Sequence, residues 1–205
     1  MPQTICLALT GASGMPYGIR LLECLLTAGC RVQLLYSQVA QVVARQEMDL
    51  ELPSRASDAQ ALLRERYAAL PGELFVYGRD EWFSPVASGS NAPDAMVVCP
   101  CTMGTLAAIA QGLASKLIER AADVVIKEGR KLILVPRETP FSLIHLENML
   151  RLARAGVVIV PPSPGFYHRP QRIDDLVDFV VARILDQLAV PHALMARWGE
   201  GASEA

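Results

Sequence analysis

The sequence predicts an α/β protein, a Rossmann-like, doubly wound parallel sheet in a three-layer α/β/α arrangement. Three observations carry this. Five short runs are almost wholly apolar without strict alternation: Thr4 to Thr10, Val32 to Tyr36, Ala95 to Cys99, Leu132 to Val135 and Val157 to Val160. Such runs suit parallel strands covered on both faces. Between them lie stretches with helical apolar spacing, and strands alternating with helices imply right-handed βαβ units. The chain has 205 residues, 52 % apolar and 20 % charged, which suits one domain with a sizeable core.

In chain order, the first strand runs into Gly11-Ala12-Ser13-Gly14. A helix follows from Pro16 to Leu26, with Ile19, Leu22, Leu25 and Leu26 on one side and proline near its start, as helix N-termini prefer. The second strand ends at Tyr36-Ser37. Residues 49–92 are the least regular stretch. They hold a helix from Ser57 to Leu70, with Ser57 or Asp58 as its cap, and the turn-rich loop Ser88-Gly89-Ser90-Asn91-Ala92-Pro93. After the third strand comes Pro100-Cys101-Thr102-Met103-Gly104-Thr105, a hydroxyl-rich turn into a helix. Ile118 to Lys127 also reads as a helix. The fourth strand meets Pro136-Arg137-Glu138, then a helix from Ser142 to Arg154 carrying Leu143, Leu146, Met149, Leu150 and Ala153. The fifth precedes Gly165-Phe166-Tyr167-His168 and a helix from Ile173 to Leu188, whose Asp174 and Asp175 favour its dipole. One domain over 1–205 is expected, with an irregular tail from about residue 191.

The net charge of -2 gives no basic field for nucleic acid and no reason to expect a membrane surface as partner. No signal peptide is visible, and no apolar stretch approaches the roughly 18 residues that span a bilayer. Five cysteines, an odd number scattered through apolar segments, fit reduced thiols in a cytoplasmic protein. The mean hydropathy of +0.28 is high. It fits a sheet buried on both faces, or apolar surface buried between subunits.

In open α/β sheets, ligands bind beyond the carboxyl ends of the strands. All five predicted strand ends present small, hydroxylic or charged residues, which one ligand crevice explains. Small residues in 11–14 let backbone N–H groups approach an anion at a helix start. Gly-x-x-Gly by itself is also an ordinary tight turn. The Thr102–Thr105 turn is a second such place, and two of them favour a phosphate-bearing cofactor. A dinucleotide site wants Gly-x-Gly-x-x-Gly and an acid at the end of the second strand. Neither is present, so a mononucleotide such as FMN fits better. Arg120 and Lys127 are seven apart on one helix face, about 10 Å along its axis. They suit one shared anion, or equally a solvated face with an Arg120–Asp123 pair. Cys99-Pro100-Cys101 lacks the further ligands that zinc needs. His145 reads as a structural or rim residue.

Taken together, several motifs resemble the UbiX-like flavin prenyltransferases. They are Gly11-Ala12-Ser13-Gly14 with Tyr17-Gly18, Ser88-Gly89-Ser90, Cys99-Pro100-Cys101-Thr102, Leu117 to Asp123, Pro136 to Ser142, His145 to Met149 and Pro164 to Tyr167. The likeness runs in order from about Thr4 to Trp198. The resemblance implies a homo-oligomer, typically a dodecamer, and no metal. It implies reduced FMN and dimethylallyl phosphate as substrates, and prenylated FMN as a product used by UbiD-like decarboxylases, for example in ubiquinone biosynthesis. It implies FMN contacts from Gly11, Ala12, Ser13, Ser37, Thr102, Met103, Gly104, Thr105 and Arg137. Lys127, Tyr167 and Arg183 would clamp the prenyl phosphate, with Arg120, Ser88 and Ser90 nearby. Ser13, Glu47, Lys127, Glu138 and Trp198 would be catalytic, with Trp82 a second aromatic wall. Met103 departs from the smaller residue the family leads one to expect.

These residues suit alkylation of flavin N5 by an allylic carbon and ring closure at C6. Fixed cations would take the departing phosphate's charge, and Ser13 with Glu47 would relay the N5 proton. An FMN-dependent decarboxylase of cysteinyl peptides is a rival, but it wants a histidine early in the chain, and none precedes His145. A flavin carrier without catalysis is another. It would not require Glu47, Arg120, Lys127, Tyr167 and Arg183 together.

Overall fold

The computed structural model describes residues 2–195. Six strands form one sheet: β1 (Thr4–Leu9), β2 (Arg31–Tyr36), β3 (Glu73–Val76), β4 (Ala95–Cys101), β5 (Lys131–Pro136) and β6 (Val158–Ile159). Every pairing is parallel, and the order is β3-β2-β1-β4-β5-β6. The chain moves outward from β1 to β3, returns past β1 and builds the other half. Strand order therefore reverses between β1 and β4, where an open α/β sheet leaves its crevice.

Parallel neighbours need crossover connections, and these supply the two outer layers. On one face lie α1 (Met15–Thr27), α2 (Gln38–Met48), α3 (Ala56–Arg66) and α7 (Ile173–Leu188). On the other lie α4 (Met103–Ala110), α5 (Leu117–Lys127) and α6 (Leu143–Arg154). Alternation along β1 divides the core. Ile5, Leu7 and Leu9 pack into the first face, and Cys6 and Ala8 into the second. Both faces are dry, so β1 reads as an unbroken apolar run. Cys99 and Cys101 likewise enter different clusters, on opposite sides of the sheet.

Several expectations need correction. β3 makes a sixth strand where none was expected, and α2 is a further helix. β6 is shorter than the run Val157 to Val160. β4 extends through Pro100 to Cys101, with its register against β5 shifting after Val98. α3 begins at Ala56, so Ser57 and Asp58 sit inside its first turn, and it ends at Arg66, short of Leu70. His145 belongs to a capping box: Ser142 Oγ accepts the His145 N–H, and His145 Nδ1 accepts the Ser142 N–H, both at 3.2 Å.

One outer surface remains apolar. Leu143, Leu146 and Leu150 of α6, spaced three and four apart, are exposed together with Ile144 and Phe141. Of the two explanations for the high hydropathy, the two-sided sheet is present, and this band adds an exposed share.

Candidate functional site

The crevice between β1 and β4 is fastened by one buried hydroxyl. Thr10 Oγ1 donates to the Pro100 carbonyl at 2.8 Å and accepts the Thr102 N–H at 2.8 Å. Thr10 N–H also reaches the Pro100 carbonyl at 3.2 Å. Thr10 thus holds the two loops that follow β1 and β4 in fixed relation. Sequence reasoning ended a strand on Thr10 without giving it this role; a threonine directly after an apolar strand was the available signal. Gly18 brings α1 onto β4, since a Cβ there would lie 2.4 Å from the Cys99 carbonyl oxygen.

The first loop differs from expectation. Gly14 caps α1 with φ 111, a left-handed conformation that suits glycine. Its N–H donates to both carboxylate oxygens of Glu47, at 3.0 and 3.2 Å, and the Met15 N–H donates to Glu47 Oε2 at 2.8 Å. Glu47 comes from the last turn of α2, which lies along the loop; at its other end, Val39 Cγ1 would meet a Cβ on Gly11 at 2.4 Å. The anion at the start of α1 is therefore the protein's own carboxylate. The expectation that these N–H groups await a phosphate is corrected by that contact. Ser13, exposed, sits one residue before the bonded Gly14.

The start of α4 is different. Thr102 caps it, its Oγ1 accepting the Thr105 N–H at 3.2 Å and lying 2.9 Å from Thr105 Oγ1. A Cβ on Gly104 would meet nothing within 4 Å. Met103 sends its side chain into the core beside Cys101 and Leu106, so only its backbone belongs to the turn. Ser37 caps α2, its Oγ accepting the Ala40 N–H at 3.1 Å. Arg137 is anchored through its N–H to the Cys101 carbonyl at 3.3 Å and has an exposed side chain. Glu138 follows it, accepting the Thr139 N–H at 3.2 Å. Tyr167 lies in the loop after β6 and is 80 % exposed. Gly11, Ala12, Ser13, Ser37, Glu47, Thr102 to Thr105, Arg137 and Glu138 therefore share the C-terminal edge, while the loop of Tyr167 packs against Phe179 of α7.

The cations do not. Lys127 ends α5, four residues before β5 begins, and so stands at the N-terminal edge. It pairs with Glu128, whose carboxyl this ammonium holds below the usual range. The loop at Gly89 passes close by, with its Cβ position 2.7 Å from Lys127 Nζ. Ser88 and Ser90 are there too, their hydroxyls 3.0 Å apart. Arg120, higher on α5, donates to the Ala87 carbonyl at 3.1 Å and to Asp123 at 2.8 Å. Of the two readings of this face, the Arg120–Asp123 pair forms, and the loop through Ala87 and Gly89 packs along both cations. Arg183 lies in the opposite layer. It is five residues from Leu188, whose carbonyl accepts from Gln3 at the start of β1. That is about 7 Å along the axis from the N-terminal edge. A strand as long as β4 spans about 20 Å. Lys127, Ser88, Ser90 and Arg183 thus cannot meet the crevice of their own chain. The sequence leaves open which copy supplies these groups to a given crevice, and their placement at the far edge bears on that choice. Trp198 lies outside the described residues, and Trp82 is partly exposed.

Among the described residues no helix is long and apolar enough to cross a membrane. The family described as Flavoprotein matches residues 1–185. The chain is 55 % identical over 199 residues to a flavin prenyltransferase UbiX of Pseudomonas aeruginosa, covering 97 % of this chain and 95 % of the relative. A dodecameric FMN-dependent UbiX-like decarboxylase from Escherichia coli O157:H7 superposes with a TM-score of 0.84 at 43 % identity, covering 96 % of this chain and 99 % of its own. AnUbiX (PadA1), solved in complex with FMN and dimethylallyl pyrophosphate, gives a TM-score of 0.87 at 40 % identity, covering 97 % and 98 %.

Proposed function

We propose, because this chain belongs to the UbiX family of flavin prenyltransferases, that it transfers the dimethylallyl group of dimethylallyl phosphate to N5 and C6 of reduced FMN. The observation that supports this most is the unequal filling of the two helix starts beside the crevice. Glu47 fills that of α1, whereas Gly104 leaves that of α4 open. A phosphate dianion is repelled by the first and favoured by the second. The FMN phosphate then rests on the Thr102–Thr105 turn with Ser37 and Arg137. The ring lies toward Gly11, Ala12 and Ser13. The residues present fit the mononucleotide in that orientation.

Reduced FMN would supply a nucleophilic N5 that displaces phosphate from the allylic carbon, and C6 would close the new ring as the allyl double bond gains a proton and C6 loses its hydrogen. Ser13 takes the N5 proton and passes it to Glu47, whose carboxylate two backbone N–H groups hold in place. Glu138 assists ring closure or protonates the departing phosphate. Lys127, Arg183, Arg120 and the Tyr167 hydroxyl stabilise its charge, with Ser88 and Ser90 beside them. Trp198, and Trp82 as a second wall, would offer an aromatic face to the allyl cation.

Lys127 stands about 20 Å along the sheet from its own crevice and Arg183 about 13 Å, so they serve the crevice of another copy. Oligomerisation is then a condition of activity. The E. coli relative is dodecameric, and we propose a homododecamer here. The exposed apolar band of α6 supports burial between copies. A UbiD-like decarboxylase in the cytoplasm would consume the product, in ubiquinone biosynthesis for example. Anaerobic incubation with reduced FMN and dimethylallyl phosphate tests the reaction by mass spectrometry. The proposal expects a flavin heavier by one dimethylallyl unit less the proton it replaces. Unchanged FMN with both the monophosphate and the pyrophosphate donor would contradict it.

A further inference from the structure

We propose that Asp186 and His192 are positioning residues that aim the Arg183 guanidinium at the prenyl phosphate. The inference rests on the reading of Arg183 as part of the phosphate clamp. Three side chains stand in a row. Arg183 Nη1 donates to Asp186 Oδ2 at 2.7 Å, and Asp186 Oδ1 lies 3.1 Å from His192 Nε2. On the far side of the imidazole, the Leu194 N–H points at Nδ1 from 3.4 Å. Nδ1 is then the acceptor, so Nε2 carries the proton and donates to the carboxylate. Both oxygens of Asp186 are engaged, one on each side.

The chain builds this row deliberately into the end of α7. Ala189 takes a left-handed conformation with φ 55, and the Val190 N–H returns to the Leu185 carbonyl at 3.0 Å. Val190 is buried, and Pro191 then turns the chain so that His192 lies back against Asp186. Exposure rises along the row: His192 14 %, Asp186 33 %, Arg183 58 %. The inner two groups are fixed, and the outer one keeps Nε and Nη2 for a ligand. The Arg120–Asp123 pair has the same three-residue spacing and a 2.8 Å contact, but no imidazole stands behind its carboxylate among the described residues.

A preset arm matters because a long side chain loses rotamer freedom when it clamps a ligand. With Asp186 braced by His192, much of that ordering precedes binding. The bond that fails when either brace is removed is an ion-assisted one. Its loss falls on binding of the anionic donor, since neither brace touches the flavin crevice of its own chain.

The test is steady-state prenylation with four variants, together with flavin affinity and thermal midpoints. Arg183→Ala is expected to raise KM for dimethylallyl phosphate about a hundredfold, and Asp186→Ala and His192→Ala about tenfold. For the two brace variants, kcat at saturating donor and the FMN dissociation constant stay within about twofold of wild type. His192→Gln, whose amide N–H replaces Nε2–H, restores KM to within about threefold. A wild-type KM in Asp186→Ala while Arg183→Ala is impaired overturns the inference and leaves the clamp standing. A parallel loss of midpoint, flavin affinity and kcat in both brace variants overturns it too, in favour of a purely structural role. A wild-type KM in Arg183→Ala overturns inference and clamp together. No prenylation by the wild type contradicts the proposed function itself.

Discussion

Replacing Glu47 separates its two roles, as brace of a helix and as proton acceptor. Its carboxylate accepts the Gly14 and Met15 N–H groups at 2.8–3.2 Å. Losing an N-terminal helix cap costs about 0.5–2 kcal/mol, and losing a negative charge at a helix start about 0.3–1 kcal/mol. The carboxylate is exposed, so water replaces part of what is lost. For Glu47→Ala we therefore take about 1–2 kcal/mol, and for Glu47→Gln, which keeps an acceptor oxygen, about 0.5–1 kcal/mol. In a chain of this length each 1 kcal/mol moves the thermal midpoint by about 2–4 °C. Alanine should thus lower it by about 2–8 °C and glutamine by about 1–4 °C. Circular dichroism melts measure this directly. Single-turnover prenylation with Glu47→Gln should slow about a hundredfold with little change in FMN affinity. An alanine variant that melts with the wild type would refute the brace, and a glutamine variant with an unchanged single-turnover rate would refute the relay.

Lys127→Ala is expected to lower kcat at least about a hundredfold, while flavin fluorescence titration shows FMN still bound; normal turnover removes Lys127 from the clamp. Burial raises the thiols of Cys6 and Cys101 to about 12 and pushes Cys99 up as well. At pH 8 they should resist a thiolate-seeking reagent in the native protein and react on denaturation; prompt native labelling at these positions would contradict that. Because their native values lie above the ordinary 9.0, the stability they contribute is complete below that pH and falls as pH rises toward 12. Leu146→Asp with Leu150→Asp removes two apolar contacts worth about 1.5–3 kcal/mol each if buried. Light scattering should show smaller assemblies than wild type, and an unchanged mass would free α6 from the interface.

The doubly wound class was legible because two-sided burial leaves a strand no polar face to show, as in β1 and β4. The loops after them were legible by position, since a ligand crevice opens at the carboxyl ends. β3 was not: it has four residues at the sheet edge, with Glu73 exposed. α2 was hidden because its buried positions are Ala40 and Ala44, while Val39 and Val42 face outward. An apolar stripe that points away from the core misleads periodicity. Glu47 reaches back to α1 across 33 residues, a contact that no local pattern announces. The placement of Lys127 was available all along. A helix that leads into a parallel strand must end at that strand's N-terminal edge, so a residue just before β5 cannot stand over a crevice at the other edge. Sequence motifs bring residues to one family site without saying how many copies build it.

Co-expression of two differently tagged variants tests that division most directly. Lys127→Ala damages the N-terminal edge and Arg137→Ala the C-terminal edge, and each homo-oligomer alone should be inactive. Mixed assemblies purified through both tags should recover turnover in the fraction that random mixing sets, because an intact crevice from one chain meets an intact cation corner from the other. Mixed assemblies as inactive as either parent would contradict the account and return both edges to a single chain.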